Sequence, residues 1–303
     1  MSAIKLSIII PLYKNKELFF SNLEKNWQFI KKYEVIIVDD ASNENIRNDI
    51  EKKYPTITYL SNTTNQGFGI TVNKGVKESH GKYILLLNTD VFLMNTQFEH
   101  ALSFLETRAD YFGVSFMQKE KNNTLVGKNI LFYRKGFLFH RKAEDTLLGL
   151  NAWAECGSTI LRKKHFEQLH GFSSLLKPFY FEDIDLSYRA YKRGWKVMFD
   201  PSICVTHFHE STTGKYFTRD FVQKIAYKNH FIFMWKNLTD KNLWTRHIVS
   251  LPYYFVKHLI LRDWNFFKGF FSAIQYIGAI QKDRKLEKME SNVNDNEVLS
   301  LFS

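Results

Sequence analysis

The chain has 303 residues and a formal net charge of +11, with 45% hydrophobic residues, 5 Pro and 14 Gly. That suits one α/β domain of about 200–250 residues with an appendage, or two small domains. The 28 Phe, 15 Tyr and 6 Trp exclude disorder over most of the length, and two cysteines, Cys156 and Cys204, exclude a disulfide framework and read as buried thiols of a reducing compartment.

The N-terminus, Met1-Ser2-Ala3-Ile4-Lys5, leads into a short apolar stretch ending at Pro11, without the length or cleavage site of a signal peptide. A cytoplasmic chain is expected. Four apolar runs follow in the first 90 residues: Leu6 to Ile10, Val35 to Val38, Ile57 to Leu60 and Tyr83 to Leu87. They are continuous rather than alternating, which predicts strands buried on both faces of a parallel sheet. Helical stretches at Lys16 to Lys31 and Ile46 to Lys53 lie between them, so right-handed βαβ units and a doubly wound sheet are expected.

In such a sheet the ligand crevice lies beyond the carboxyl ends of the strands. Those ends read Pro11-Leu12-Tyr13, Asp39-Asp40 and Asn88-Thr89-Asp90, so two strand exits aim carboxylates at one crevice. No Gly-x-x-x-x-Gly-Lys-Ser/Thr loop is present, which argues against a P-loop. Gly67-Phe68-Gly69 follows the third strand rather than the first, and Val72 stands where a dinucleotide fingerprint needs Gly or Ala, so a Rossmann dehydrogenase fits poorly. An acidic strand exit would repel a phosphorylated ligand. A divalent cation on hard oxygen ligands such as Asp90, Mg²⁺ or Mn²⁺, resolves that conflict.

Five segments in order, spanning residues 6 to about 215, together resemble the inverting family 2 glycosyltransferases of GT-A fold. Ser7-Ile8-Ile9-Ile10-Pro11-Leu12-Tyr13 is similar to the opening strand of that family, and Val35-Ile36-Ile37-Val38-Asp39-Asp40-Ala41-Ser42 to its nucleotide-binding second strand. Asn65-Gln66-Gly67-Phe68-Gly69, with Asn73 and Gly75, resembles the loop and helix after the third strand, and Leu86-Leu87-Asn88-Thr89-Asp90 resembles the metal motif. Phe181-Glu182-Asp183-Ile184-Asp185-Leu186-Ser187-Tyr188-Arg189, with Gly194-Trp195, is similar to the acceptor-side helix. The family often has Asp-x-Asp where this chain has Asn88-Thr89-Asp90. The Asn-x-Asp form resembles a branch containing many bacterial rhamnosyltransferases and related polysaccharide enzymes, and it removes one negative charge from the metal site.

The resemblance implies an α/β fold with a mixed, mostly parallel central sheet flanked by helices, and it assigns roles. Pro11 and Tyr13 would line the nucleotide site; Asp39 would read the base, unless it only caps the chain after Ser42. Asp40 would turn toward the ribose or the loop, and Asn65 and Gly67 would close over the donor, Gly67 alternatively serving only a positive φ. Asn88 would face the sugar, the ribose or the ion. Asp90 is the expected metal ligand with His207, at the end of the apolar run before it; His209, two residues on, is the alternative. Asp183 is implied as general base with Glu182 as second choice, Asp185 as an orienting group for Arg189, and Trp153 as a ring stacking on sugar or packing in the core. Pro178-Phe179-Tyr180-Phe181 forms an aromatic wall suited to a sugar.

The implied reaction moves a sugar from a nucleotide-diphosphate donor to a saccharide or lipid-linked acceptor with inversion, in bacterial surface polysaccharide synthesis. A sugar nucleotidyltransferase is the rival, but it would need a glycine- and cation-bearing loop where Pro11-Leu12-Tyr13-Lys14-Asn15 stands. A non-catalytic basic protein binding RNA or an acidic polymer is the other. It would need cations in the nucleotide-facing half, and residues 1–110 carry 13 basic and 13 acidic groups. No nucleic-acid partner is therefore expected.

The excess charge lies further on: residues 212–288 hold 14 basic and 5 acidic groups among large aromatics. A catalytic domain at 1–213 and a helical, basic-aromatic extension at 214–303 are expected, with a disordered polar tail from about 288. Lys257-His258 and Lys268 interrupt the apolar stretches, which excludes a membrane span. On a helix, Asn265, Lys268, Ser272 and Gln275 form one narrow polar stripe. The remaining apolar arc must bury against the catalytic domain, a second subunit as in a homodimer, or an anionic membrane surface. Peripheral attachment at the inner face of the plasma membrane is the expectation.

Overall fold

The computed structural model of the protein describes residues 5–207 and 212–302; His209 lies outside them. The elements run Leu6–Leu12 (β1), Lys16–Ile30 (α1), Glu34–Asp39 (β2), Arg47–Lys53 (α2), Thr58–Ser61 (β3), Phe68–Glu78 (α3), Tyr83–Leu87 (β4) and Val91–Leu93 (β5). Phe98–Thr107 (α4), Tyr111–Lys119 (β6), Leu125–Val126 (β7), Asn129–Arg134 (β8), Phe137–Lys142 (β9), Gly149–Leu150 (β10), Ser158–Arg162 (β11) and Lys163–Gln168 (α5) follow. Then come Glu182–Lys192 (α6), Lys196–His207 (β12), Thr212–Tyr216 (α7), Arg219–Asn237 (α8), Lys241–Ile260 (α9), Trp264–Ile274 (α10), Ile277–Glu290 (α11) and Asp295–Ser300 (α12).

The four expected strands pair in parallel in the order β4-β1-β2-β3. The sheet continues from β4 through β11, β6 and β12 to β10, where only β6–β12 is parallel, so the sheet as a whole is mixed, with the parallel pairings gathered around β1. Alternate residues of each central strand enter opposite cores, as two-sided burial requires. On one face Ile8, Ile10 and Ile37 meet Phe19 and Leu23 of α1 and Leu102 of α4. On the other, Ile9, Val38 and Leu86 meet Val72 and Val76 of α3, together with α6 and α8. β1 leaves β2 for one side of the sheet and β4 returns on its other side, which makes β1–β4 the topological switch point. Their pairing stops at Ile9–Leu86. Beyond it Pro11, which has no N–H to give, faces an open flank.

The C-terminal helices are built onto this body through buried charges. Asp185 of α6 is fully buried and takes hydrogen bonds from Arg189 Nε at 2.9 Å and, from α8, Lys236 Nζ at 2.8 Å and Asn237 Nδ2 at 2.7 Å. Beside the expected contact with Arg189 stand two partners from α8, Lys236 and Asn237, that the sequence had not pointed to. Residues 288–297, expected to fray, are instead ordered. Asn294 and Glu297 form a reciprocal cap for α12, and Asp295 is fully buried against Lys192 Nζ at 2.9 Å and Tyr188 Oη at 2.7 Å. A buried lysine needs a counter-charge, and the tail supplies it. Among the described residues no helix is long and apolar enough to cross a membrane.

Candidate active site

A cavity of about 450 Å³ opens at the β1–β4 switch, between Pro11 and Tyr13 on one strand exit and Asn88 and Asp90 on the other. Two buried asparagines on the inward face of α1 hold the second exit. Asn22 Nδ2 donates to the Thr89 carbonyl at 2.6 Å, and Asn26 bonds Val91 and Leu93 at 2.9 and 2.8 Å. One helix face therefore fixes the turn that carries Asp90.

At the second strand exit the two aspartates part ways. Asp40 lines the cavity and turns to the loop: its carboxylate accepts from Gln66 N at 2.7 Å, Gly67 N at 2.8 Å and Asn62 Nδ2 at 2.8 Å. Asn65 is thereby held at the cavity edge. Gly67 has φ +83°, and a Cβ there would sit 2.5 Å from the Pro178 carbonyl oxygen, so it serves both a left-handed backbone and a close approach. Asp39, expected at the base, is not on the cavity wall. It is 6% exposed and spends its oxygens on Ser42 N at 3.0 Å, the Ser42 hydroxyl and Tyr59 Oη at 2.8 Å. Trp153, weighed as a stacking ring, is also off the wall and 7% exposed in the core, its ring edge-on to His140.

Asp90 and His207 do meet. β12 runs antiparallel to β5, which sets Asp90 Oδ1 3.3 Å from His207 Nε2. The other ring nitrogen, Nδ1, lies 2.7 Å from Gln118 Oε1, and an Nδ1–H donated to that acceptor leaves the Nε2 lone pair for Asp90's side. Gln118 in turn donates to Glu155, which also accepts from Asn129 Nδ2 at 2.7 Å. Burial pushes the Glu155 carboxyl up. Beside this pair the Asn88 Oδ1 is buried without a hydrogen-bond partner among the described residues. A carboxylate, an oriented imidazole and an orphaned amide oxygen are donors that suit a hard divalent cation. Two neighbouring ligands of a Mg²⁺-sized ion stand about 3 Å apart, so the residues present fit one. Gln118 and Glu155 were not singled out as site residues from sequence.

Across the cavity, α6 begins with Glu182 and Asp183, both on the wall. Burial raises both carboxyls well above the usual range; repulsion from Asp183 adds to the rise at Glu182, and repulsion from Glu155 adds at Asp183. The Glu182 Oε2 is buried with no partner among the described residues. Tyr180 and Phe181 just before the helix have φ 73° and 71°, a costly pair for non-glycine residues. Asn229 of α8, fully buried, holds them: its Nδ2 reaches the carbonyls of Leu176, Phe179 and Tyr180 at 2.7, 2.8 and 3.0 Å. Phe179, Tyr180 and Phe217 form an aromatic rim. Cys156 also lines the cavity, its thiol pushed up by burial, while Cys204 is only half-buried; both are free.

Comparison with known proteins bears on family and fold. Residues 7–169 match the profile of Glycosyl transferase family 2. The chain is 27% identical over 181 residues to an uncharacterized glycosyltransferase of Haemophilus influenzae, over 59% of this chain and 60% of that one. It is 30% identical over 124 residues to the UDP-Glc:alpha-D-GlcNAc-diphosphoundecaprenol beta-1,3-glucosyltransferase of Escherichia coli, over 40% of this chain and 49% of that one. These matches span less than two-thirds of the relatives' length. Among solved structures, TarS 1–349 of S. aureus with UDP-GlcNAc superposes with a TM-score of 0.59 at 14% identity, covering 98% of this chain and 89% of that one. GalNAc-T7 with UDP, GalNAc and Mn²⁺ gives 0.62 at 13% identity, covering 79% and 49%. The fold is GT-A.

Proposed function

The chain belongs to glycosyl transferase family 2, and from that premise we propose that it moves a hexosyl or deoxyhexosyl group from a nucleotide-diphosphate donor to an acceptor hydroxyl, inverting the anomeric carbon. The observation that carries this reading is the convergence, on one cavity of about 450 Å³, of the Asp90–His207 pair on one side and the raised Glu182–Asp183 pair on the other.

Each wall then has a task. Pro11, Tyr13, Asn65 and the Asp40-anchored loop enclose the nucleotide, and Asn88 faces the sugar or its diphosphate. Asp90 and His207 would hold Mg²⁺ or Mn²⁺, which would supply Lewis-acid neutralisation of the diphosphate charge. Asp183 accepts the acceptor hydroxyl proton as that oxygen attacks the anomeric carbon. A carboxyl with a raised pKa is a stronger base than a free Asp at ~3.9, which suits it to this task. The Tyr180 rim offers a stacking face for the acceptor sugar. The Escherichia coli relative is named for a diphosphoundecaprenol acceptor, and a lipid-linked saccharide is the acceptor class we favour here. The enzyme would then work as a peripheral protein at the inner membrane face, in surface polysaccharide synthesis.

The full chain is expected to release nucleoside diphosphate from one member of a panel of UDP-, GDP- and dTDP-sugars in the presence of Mn²⁺ or Mg²⁺. EDTA should abolish the release, and Asp90→Asn should lower it by about 10²-fold or more, the scale of losing one electrostatic contact to developing charge. Turnover unaffected by EDTA would remove the cation from this reading, and binding of no donor at all would remove the reaction.

A further inference from the structure

Away from the catalytic cavity, the outer side of α9 carries an apolar stripe that none of the described residues covers. Val249, Tyr253, Val256 and Ile260, at i, i+4, i+7 and i+11, are 71, 53, 57 and 75% exposed, and on a helix of 3.6 residues per turn they share about 60° of arc. Trp264, at the start of α10, is also exposed. Contiguous apolar surface of this kind marks an interaction site.

The tip of the β8–β9 hairpin sits against the same helix. Lys135 and Gly136 both have positive φ, as a tight hairpin turn requires. A Cβ on Gly136 would collide with Ser250, and the Gly136 carbonyl lies 2.8 Å from His247 Nδ1. Two recesses open where hairpin and helix meet. One, of about 430 Å³, has aromatic walls with Arg134, Lys135 and Lys257 on it; the other, of about 470 Å³, lies between Lys135, Arg246, Val249 and Tyr253. Neither α9 nor the two hairpin strands contain an Asp or Glu. Arg134, Lys135, Arg246 and Lys257 are exposed, and among the described residues none of them pairs with a carboxylate. Lys135 and Lys257 instead lie over the rings of Tyr253 and Tyr254 at 5.8 and 5.9 Å.

We propose that this face, the α9 stripe with the cationic hairpin tip, docks the protein on an anionic lipid bilayer, the apolar side chains entering the interface and the four cations meeting headgroup phosphates in and around the recesses. A second copy of the chain fits the face poorly. A two-fold contact would set these cations against their own copies with no carboxylate on either element to neutralise them. The position suits the function proposed above. His230 lines the recess of about 430 Å³ and stacks on Phe181 with centroids 4.9 Å apart, and the residue after Phe181 is Glu182 of the catalytic pair.

The inference builds on that function only in giving the docked enzyme an acceptor to reach, and binding to vesicles is read without any sugar transfer. The full chain should float with vesicles containing phosphatidylglycerol at low salt, leave them as salt rises, and ignore pure phosphatidylcholine. Neutralising Lys135→Gln with Lys257→Gln should weaken binding roughly 25-fold, at about fivefold per cation. Ile260→Asp should weaken it as well, and both variants should keep the wild-type melting temperature and nucleoside-diphosphate release. Wild-type protein that stays unbound at low salt, or a double variant that binds as tightly as wild type, overturns the proposal. So does a dimer that Ile260→Asp disperses while no vesicle binding is seen. None of these outcomes would touch donor turnover, which stands or falls separately.

Discussion

Asp183→Asn is expected to lower kcat by about 10²–10⁴-fold, the usual worth of general-base assistance, while leaving donor affinity unchanged. The variant keeps the shape of the side chain and its place in the first turn of α6, so the loss falls on proton acceptance. The pH dependence carries the same signature. Burial, with repulsion from Glu155, raises the Asp183 carboxyl above the ~3.9 of a free Asp. The base is therefore still protonated where an ordinary Asp is ionised, and wild-type kcat should rise with pH through that elevated value. Asp183→Asn should lose this limb, and Glu182→Gln should keep it. A folded Asp183→Asn protein turning over at wild-type rate takes the residue out of the role.

Asp185→Ala is expected to cost about 3–5 kcal/mol of stability, the scale of leaving buried charges unpaired. Arg189 and Lys236, both almost fully buried, would each lose the carboxylate they bond directly. Urea denaturation of the two proteins measures the difference, and a loss under ~1 kcal/mol would show that the network is not what joins α6 to α8. The acid limb of stability should change too. Burial alone would raise the Asp185 carboxyl, but Arg189 and Lys236 outweigh it and hold it below its usual value. Its contribution is thus full above ~pH 4, the range of the unfolded group, and is lost as pH falls through the lower folded value. The variant should lack that portion of the acid sensitivity. The same network implies that a chain ended at Thr213 would not keep the catalytic helix in place. Asn229, which spans three carbonyls of the aromatic segment, would go with it.

Strand existence and strand exits were legible because buried parallel strands are continuous apolar runs, and such runs bracket Asp40 and Asp90 in the primary sequence. The meeting of Asp90 with His207 was legible from the resemblance, which supplies the long-range pairing that periodicity lacks. Gln118 and Glu155 were harder. They reach His207 only through the registers of β12 and β11 on β6, and nothing local marks a glutamine on a strand as the partner of a histidine 89 residues away. Asn229 carried little signal: it stands in Lys228-Asn229-His230 ahead of the apolar run Phe231 to Trp235, and only its burial in the fold shows that its amide demands partners. Asp39 shows the opposite limit: Ser42, three residues on, marked the capping alternative, and the fold adds Tyr59 on β3 as a second hydroxyl donor to the same carboxylate. The ordered tail was missed because its polar composition matches a frayed end. Only the fold reveals that Lys192 needs Asp295.

The proposed reaction is a single displacement at the anomeric carbon, with the donor held at the β1–β4 switch and Asp183 as base on the opposite side. Proton NMR of the product made by the full chain from an α-linked nucleotide sugar tests this directly, through the coupling constant of the new anomeric proton. A β-linked product is predicted, at a rate that falls with Asp183→Asn. An α-linked product would contradict the proposed reaction, because one displacement from the face opposite the leaving group inverts the centre.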